Sequence, residues 1–346
     1  MSEWVQWIQL DAGEFPRLQE LEVINCPNLI GGLPKRVPSL ARLKVEKCPG
    51  LVASLERATC IHEVVLEECE GVQFEMQGVS SIEILKIMYF ASLEEFAIEL
   101  STLTHLKELR VENCPRLFAF PEGMMRLNNL KKLTVRCNMV FFPRGGLPAP
   151  NLSCLRVQGC KKLKALPEQM HTLLPSLAVL CFRGCSEIES FPKGGLPSKL
   201  SSLFINDCKK LVGSRRDWGL QRLPSLQCFS LLGESKGVLE SFLEEGLLPT
   251  TVTMLFMFYM PNLKSLNSRG LQLLGSLKYM LIWNCSQLQS LQEEGLPTSL
   301  LELFIMYCPL LNPHCRRKEK TGIRLLMSLL YVSMVKPSLT KSISVQ

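Results

Sequence analysis

The chain has 346 residues, of which 47% are hydrophobic and 21% are charged, and its formal net charge is +7 at pH 7. This composition excludes a mostly disordered chain, which combines low hydrophobicity with high charge. The basic residues are spread along the chain and do not form a stripe interleaved with aromatic residues, which argues against nucleic-acid recognition. No apolar run reaches the length of about 20 residues that a membrane-spanning helix needs. The nearest run, at 323–335, is shorter and contains Arg324.

A spaced pattern of aliphatic residues and cysteine recurs along almost the whole chain. Its first copy is Leu18, Leu21, Val23 and Cys26, and it restarts at intervals of 21 to 26 residues. This period and spacing predict a leucine-rich-repeat solenoid, an α/β horseshoe with a parallel β-sheet on its concave face. The convex side is expected to be loop-rich, with few short helices. The thirteen spine starts are Leu18, Leu40, Ile61, Ile82, Leu106, Leu130, Leu152, Leu177, Leu200, Leu226, Val252, Leu277 and Leu300.

The same pattern sets the expected boundaries. Residues 16–315 are predicted to form one repeat domain of about 13 repeats, by the usual period of such repeats. Residues 1–15 are interpreted as the remnant of a preceding repeat, because apolar side chains lead straight into the first strand. Residues 316–346 form a charged and then apolar tail, which either is disordered or caps the last repeat.

Nine of the fifteen cysteines occupy one position in the repeat. Because stacked repeats run in parallel, these side chains are predicted to form a column of buried thiols that donate to backbone carbonyls and close the turn after each strand. Disulfides are the less favoured alternative, because no secretory signal is found and cytosolic thiols stay reduced. The sequence contains no Cys-x-x-Cys pair, which is the spacing that would suggest a zinc site. The column is Cys26, Cys48, Cys69, Cys114, Cys160, Cys185, Cys208, Cys285 and Cys308.

Four repeats depart from the cysteine pattern. Their residues at the cysteine position are Phe90, Asn138, Glu234 and Met260. The turns at these positions are therefore predicted to be less regular than the others.

Two motifs at a fixed phase carry a resemblance to a known family. The first is the run Leu-Lys-Glu-Leu-Arg-Val-Glu-Asn-Cys-Pro-Arg-Leu at 106–117, and the second is Gly-Gly-Leu-Pro at 194–197. Together they resemble the C-terminal leucine-rich-repeat region of plant coiled-coil, nucleotide-binding disease-resistance proteins. The resemblance runs from about residue 14 to 320.

The resemblance implies a non-catalytic protein-recognition module, the effector-sensing and autoinhibitory arm of an intracellular immune receptor. Its partners would be a pathogen effector or a guarded host protein, with the nucleotide-binding domain in cis, in the cytoplasm and also the nucleus. No Gly-x-x-x-x-Gly-Lys-(Ser/Thr) loop occurs in the sequence, so no cofactor is expected here. ADP or ATP would bind the nucleotide-binding domain of a full receptor. The alternative is a free-standing adaptor or decoy, such as the substrate-binding arm of a ubiquitin ligase.

Residues two, four and six after each spine start are expected to line the concave face, because side chains alternate along a strand. They are mostly charged in the first repeats and basic in the middle, at Arg136, Arg156 and Arg183. In the last three repeats they become apolar and aromatic, with two tyrosines at the strand edge. The expected contact residues there are Met254, Phe256, Phe258, Tyr259, Tyr279, Leu281, Trp283, Phe304, Met306 and Tyr307.

We interpret this apolar patch as the main protein contact, with the basic band steering an acidic partner. Two alternatives stay open: the patch is covered from within, by 323–335 or a missing domain, or the strand register is wrong. Catalysis has little support, because His62, His105, His171 and His314 fall in different repeats without a companion nucleophile. Cys154 has Lys132 one repeat away, but a small groove side chain is favoured over a reactive thiol.

Overall fold

A computed structural model of the chain describes residues 15–33, 37–52, 58–69, 80–94, 100–119, 124, 126–233, 239–291 and 295–311. The chain divides into two compact units, residues 1–226 and 227–346, and each is described by itself. Most of the predicted N-terminal remnant and the whole tail at 316–346 lie outside the described residues. The boundaries of the predicted repeat domain stay a prediction.

Each unit is a parallel β-solenoid in which every repeat contributes one short strand. In the first unit the strands are β1 (Glu20–Ile24), β2 (Arg42–Glu46), β3 (Glu63–Glu67), β4 (Ile84–Met88), β5 (Glu108–Cys114), β6 (Lys132–Cys137), β7 (Cys154–Gln158), β8 (Val179–Arg183) and β9 (Ser202–Asn206). In the second unit they are β10 (Cys228–Leu232), β11 (Met254–Phe258), β12 (Tyr279–Trp283) and β13 (Glu302–Met306). Every strand begins two residues after a predicted spine start, which confirms the predicted solenoid.

Helices are few and short in the described part of the chain. They are α1 (Met170–Leu173), α2 (Lys209–Gly213) and α3 (Ser268–Gln272), with 3₁₀ turns at Leu100–Thr102, Arg215–Asp217 and Leu220–Arg222. Two-residue parallel pairs also join Gly31–Gly32 to Leu51–Val52 and Ser241–Phe242 to Ser265–Leu266. The connections between strands are therefore mostly turns and loops, as predicted for the side of the solenoid opposite the sheet.

The strands alternate between the core and an open face. In β2, Leu43 and Val45 are fully buried, while the charged residues on either side of them are only half-buried. The register pairs equivalent positions one repeat apart, so that Leu43 lies opposite Leu21 and Val64. Burying one such aliphatic side chain contributes about 1.5–3 kcal/mol. The core is thus a stack of identical positions, and we call the opposite surface the open face of the sheet.

The residue that follows most strands adopts a left-handed backbone conformation. Asn25, Lys47 and Glu68 have φ angles of 56°, 54° and 52°. Their N–H groups still reach the neighbouring strand, since the amide of Asn25 donates to the carbonyl of Glu46 at 2.8 Å. The ladder of backbone hydrogen bonds between neighbouring strands therefore extends one residue beyond the strand, into the turn.

The repeated cysteine lies directly after this turn residue. All nine cysteines of the predicted column are buried. The Sγ of Cys48 donates to the carbonyl of Glu46 at 3.2 Å and lies 3.6 Å from the carbonyl of Val23 in the preceding repeat. Burial raises the pKa of Cys69 to about 11, so its thiol stays a protonated donor at neutral pH. The thiol of Cys48 thus adds a second, weaker hydrogen bond to a carbonyl that already accepts the amide of Asn25.

The turn near Asn138 is irregular, as predicted for this departure from the cysteine pattern. Between β5 and β6 the register shifts, and Cys137 takes the place opposite Cys114. Its Sγ lies 3.5 Å from the carbonyl of Val111, while Asn138 is exposed and donates to the carbonyl of Pro115. At two other departures the apolar residues Phe90 and Met260 are buried in place of cysteine. Glu234, the fourth departure, lies outside the described residues.

Charged side chains of β1 to β4 form a compensated row on the open face. Arg42 lies between Glu20 and Glu63, with both N–O distances at 3.1 Å. Lys86 binds the other oxygen of Glu63 at 2.8 Å. Partial burial alone would raise the pKa of Glu63, but the hydrogen bond from Lys86 and the nearby Arg42 hold it below its usual value. The row therefore links neighbouring repeats without leaving a large single-sign field.

Replacing Cys48 by alanine tests the role of the thiol column. We expect the free energy of unfolding to fall by about 1–2 kcal/mol, because a buried donor is lost and a sulfur-sized cavity remains. Chemical denaturation followed by circular dichroism measures the change. The matched control is Cys60→Ala, because Cys60 is an exposed thiol. Equal stability of the two variants would show that the column contributes nothing.

Replacing Glu63 by glutamine tests the charged row. At pH 7 we expect a loss of about 0.5–1 kcal/mol, a value kept low because Arg42 is largely solvated. The pKa of Glu63 is lowered by folding, so its contribution is present above its unfolded pKa and is lost as the pH falls through the folded one. Denaturation of both proteins between pH 7 and roughly pH 3 should therefore show the difference vanish near the acid end. Glu94→Gln, which alters a largely exposed pair with Arg116, is the control, and a difference that persists at low pH would contradict the assignment.

Candidate functional site

The apolar patch predicted on the last three repeats lies on the open face of the second unit, but part of it is covered. Phe256 and Leu281 are only 2% and 3% exposed, and Phe258 is 9% exposed. Phe256 and Leu281 occupy the middle of their strands, where residues on both neighbouring strands flank them: Phe256 pairs with Ser230 and Leu281, and Leu281 pairs in turn with Phe304. The expectation that these three side chains are exposed is therefore corrected.

The remaining residues of the patch lie nearer to solvent. Tyr259 is 49% exposed and Tyr307 is 65% exposed. Trp283 lies between them along the repeat direction and is half-buried, with its ring centroid 5.0 Å from that of Tyr307. We call Tyr259, Trp283 and Tyr307 the aromatic ridge. The other residues of the predicted patch are half-buried: Met254, Tyr279, Phe304 and Met306.

The two tyrosines of the aromatic ridge occupy the left-handed turn position. Their φ angles are 49° and 54°, a conformation that is a genuine outlier for a bulky side chain. The backbone holds Tyr259 there, because its N–H donates to the carbonyl of Trp283 at 2.9 Å. Other repeats place Asn25, Gly159 or Asn284 at this position, and glycine and asparagine tolerate it more easily. The ridge therefore combines large exposed rings with a fixed backbone.

The open face of the first unit changes from acidic to basic along the chain. The strands β1 to β4 present five acidic and three basic side chains, whereas β5 to β9 present two acidic and five basic ones. Both acidic groups of the basic half have a basic partner: Glu112 binds Arg110 at 2.7 Å, and Glu108 lies 3.8 Å from Lys132. The predicted basic residues Arg136, Arg156 and Arg183 pair with no carboxylate among the described residues.

These three arginines lie on adjacent strands β6, β7 and β8. Arg136 and Arg183 are exposed, and Arg156 is half-buried with its Nε fully buried and without a hydrogen-bond partner. Arg156 pairs in register with Thr134 and Cys181. We call Arg136, Arg156 and Arg183 the arginine band.

The groove cysteines do not have the properties of nucleophiles. Burial raises the pKa of Cys154 despite the nearby Arg156 and Lys132, and raises that of Cys181 to about 12. Both groups are therefore neutral thiols at physiological pH. His62, His105 and His171 are exposed, and His314 lies outside the described residues.

Neither a metal-binding cluster nor a membrane-spanning helix is found among the described residues. They contain no cluster of three or more His, Cys, Asp or Glu side chains that could hold a metal ion. They also contain no helix with the length and apolar character needed to cross a membrane.

Sequence reasoning missed one polar residue next to the arginine band. Asn206 on β9 pairs with Arg183, is 3% exposed, and has an Oδ1 without a hydrogen-bond partner. It lies six residues after the spine start Leu200, so the same counting that selected Arg183 would have found it.

Comparison with known proteins finds a relative that aligns with most of the chain. No protein-family model matches the chain. It is 33% identical over 315 residues to the disease resistance protein At3g14460 of Arabidopsis thaliana, an alignment that covers 86% of this chain and 22% of that protein. The chain thus spans about a fifth of the length of this relative.

Solved structures with a similar architecture are also repeat proteins. The leucine-rich-repeat domain of the type III effector XopL is 20% identical with a TM-score of 0.47, covering 64% of this chain and 74% of that one. The circular leucine-rich-repeat protein CroV588 is 16% identical with a TM-score of 0.40, covering 83% of this chain and 43% of that one.

The repeat period, the parallel strands and the sequence identity agree with one another. This chain is a leucine-rich-repeat protein, homologous over most of its length to a plant disease resistance protein.

Proposed function

We propose that the chain is the non-catalytic recognition arm of a plant intracellular immune receptor and binds a pathogen effector or a guarded host protein. The homology to a disease resistance protein supports the setting. The observation that carries the proposal is the aromatic ridge, in which Tyr259 and Tyr307 keep large exposed rings on left-handed backbone. The left-handed turn recurs through the solenoid, and here it holds two large rings at fixed positions on the surface.

The chemistry of the ridge fits a protein partner. Tyrosine and tryptophan provide a large contact area at little cost in side-chain entropy, and both are enriched at interface hot spots. The contact between Trp283 and Tyr307 also orders the two rings before a partner arrives. A preordered surface loses less entropy on binding and so gains affinity.

The proposal also includes restraint of a nucleotide-binding domain in cis. On this proposal ADP or ATP binds that domain rather than this chain, and the receptor works in the cytoplasm. The open face would then bind both the recognised protein and the nucleotide-binding domain that this chain holds inactive.

Tyr307→Asp tests recognition directly. Each member of a panel of pathogen effectors and host proteins is measured for association with the full chain by a split-luciferase assay in leaves. We expect a specific binder to lose affinity about tenfold or more, because a charged group replaces an interface ring. The melting temperature should change little, because Tyr307 is 65% exposed.

Leu273→Asp is the matched control, since Leu273 is 51% exposed in the same unit but lies outside the strands. It should leave the affinity unchanged. A specific binder that tolerates both Tyr307→Asp and Trp283→Ala would show that the ridge is not the recognition surface.

A further inference from the structure

The arginine band of the first unit is a positive field that no carboxylate among the described residues compensates, whereas several other charges of this face are paired. In the acidic half, Arg42 and Lys86 share Glu63. In the basic half, Glu112 lies in register with Arg136, but both of its oxygens accept from Arg110, at 2.7 and 2.9 Å. The carboxylate of Glu112 is thus already bound to Arg110. No other carboxylate among the described residues pairs with the arginine band.

Arg156 carries a donor with no acceptor. Its Nε is removed from solvent and has no hydrogen-bond partner in the structure. The residue as a whole is only half-buried, so a ligand can meet the solvent-facing part of the guanidinium but not this nitrogen. The guanidinium is a rigid fork that matches a carboxylate through two parallel hydrogen bonds.

Glycines at the turn position leave room beside the band. Gly159 and Gly184 follow β7 and β8 with φ angles of 66° and 63°. A Cβ on Gly159 would lie 3.9 Å from Cγ of Arg136, so this arginine stem runs over the glycine. No side chain projects from either glycine, and an extended peptide can therefore approach Arg136 and Arg183 along this edge of the sheet.

The neighbouring residues favour a peptide over a nucleic acid. The open-face positions of β6, β7 and β8 contain no aromatic side chain on which a base could stack. They contain instead the polar groups Thr134 and Gln158, with Asn206 on the next strand. Hydroxyl and amide groups such as those of Thr134 and Gln158 can hydrogen-bond the backbone of an extended peptide.

We propose that Arg136, Arg156 and Arg183 form a carboxylate-binding site for an acidic, extended segment of the recognised protein. Arg136 and Arg183 lie two strands apart, roughly 10 Å, and Arg156 lies on the strand between them, two residues earlier in the register, so spaced carboxylates of one segment can meet the three guanidinium groups. The inference deepens the proposed function, because it names the chemistry of the partner, and it rests on that function. It concerns the first unit only and does not depend on the aromatic ridge.

The test uses the full chain and a fluorescein-labelled peptide of alternating glutamate and aspartate, with binding followed by fluorescence anisotropy. We expect saturable binding that weakens as salt rises, because exposed charge pairs are screened. Arg136→Gln, Arg156→Gln and Arg183→Gln should each weaken binding about tenfold, the effect of losing a charge-assisted pair. The same peptide with glutamine and asparagine should not bind.

Arg222→Gln is the matched control, since Arg222 is an exposed arginine of the same unit in a 3₁₀ turn outside the sheet. It should change the affinity by less than about twofold, as expected for an isolated surface charge. If Arg156→Gln lowers the melting temperature, the peptide affinities of Arg136→Gln and Arg183→Gln decide the outcome, because these two side chains are exposed. Equal losses in Arg222→Gln, no binding of the acidic peptide, or equal affinity for single-stranded DNA would each overturn the proposal.

Tyr307→Asp separates this inference from the proposed function. It should leave the affinity for the acidic peptide unchanged. If the acidic peptide does not bind but Tyr307→Asp abolishes binding of a specific partner, the carboxylate site is wrong and the recognition arm stands.

Discussion

The interaction on which the structure depends is the parallel ladder that joins each repeat to the next. A single repeat buries only one side of its aliphatic residues, so its core is complete only when a neighbour stacks on it. The ladder keeps equivalent positions opposite one another, as for Leu43 between Leu21 and Val64. It extends past the strand through the amide of the left-handed residue, and the cysteine thiol adds a second hydrogen bond to the last carbonyl of the strand. The same strand register therefore determines both the packing of the aliphatic core and the hydrogen bonds of the backbone.

The open face takes its chemistry from the same register. Side chains at equivalent positions lie next to one another, so a change of residue type along the sequence becomes a change of surface along the sheet. In the first unit this produces an acidic half in which Arg42 and Lys86 share Glu63, and a basic half in which three arginines have no carboxylate partner among the described residues. In the second unit it produces the aromatic ridge, where tyrosine takes a turn position that asparagine, glycine, lysine or glutamate fills in other repeats. Neither surface needs a long loop or a helix to hold it.

The fold and the polarity of the open face could be predicted from the sequence, because both depend on spacing alone. The strand positions, the inward aliphatic residues and the burial of the cysteines follow from a period that a reader can count. The exposure of single side chains could not be predicted in this way. Phe256 is buried because of residues on the two neighbouring strands, and those contacts depend on local packing rather than on position in a strand. Cys137 likewise replaces Asn138 in the ladder through a register shift that spacing does not reveal.

Hydrogen–deuterium exchange of the free chain, resolved to single amides, tests most directly the claim that the ladder extends into the turns. The account predicts that the amides of Asn25, Tyr259 and Asn284 exchange as slowly as those of the adjoining strands, because each donates to the last carbonyl of the next strand at 2.8 to 2.9 Å. These residues lie at the surface in turns, where amides without a partner exchange quickly. Exchange at the rate of loop amides would show that the ladder ends with the strand, and the account of how the repeats are held together would be wrong.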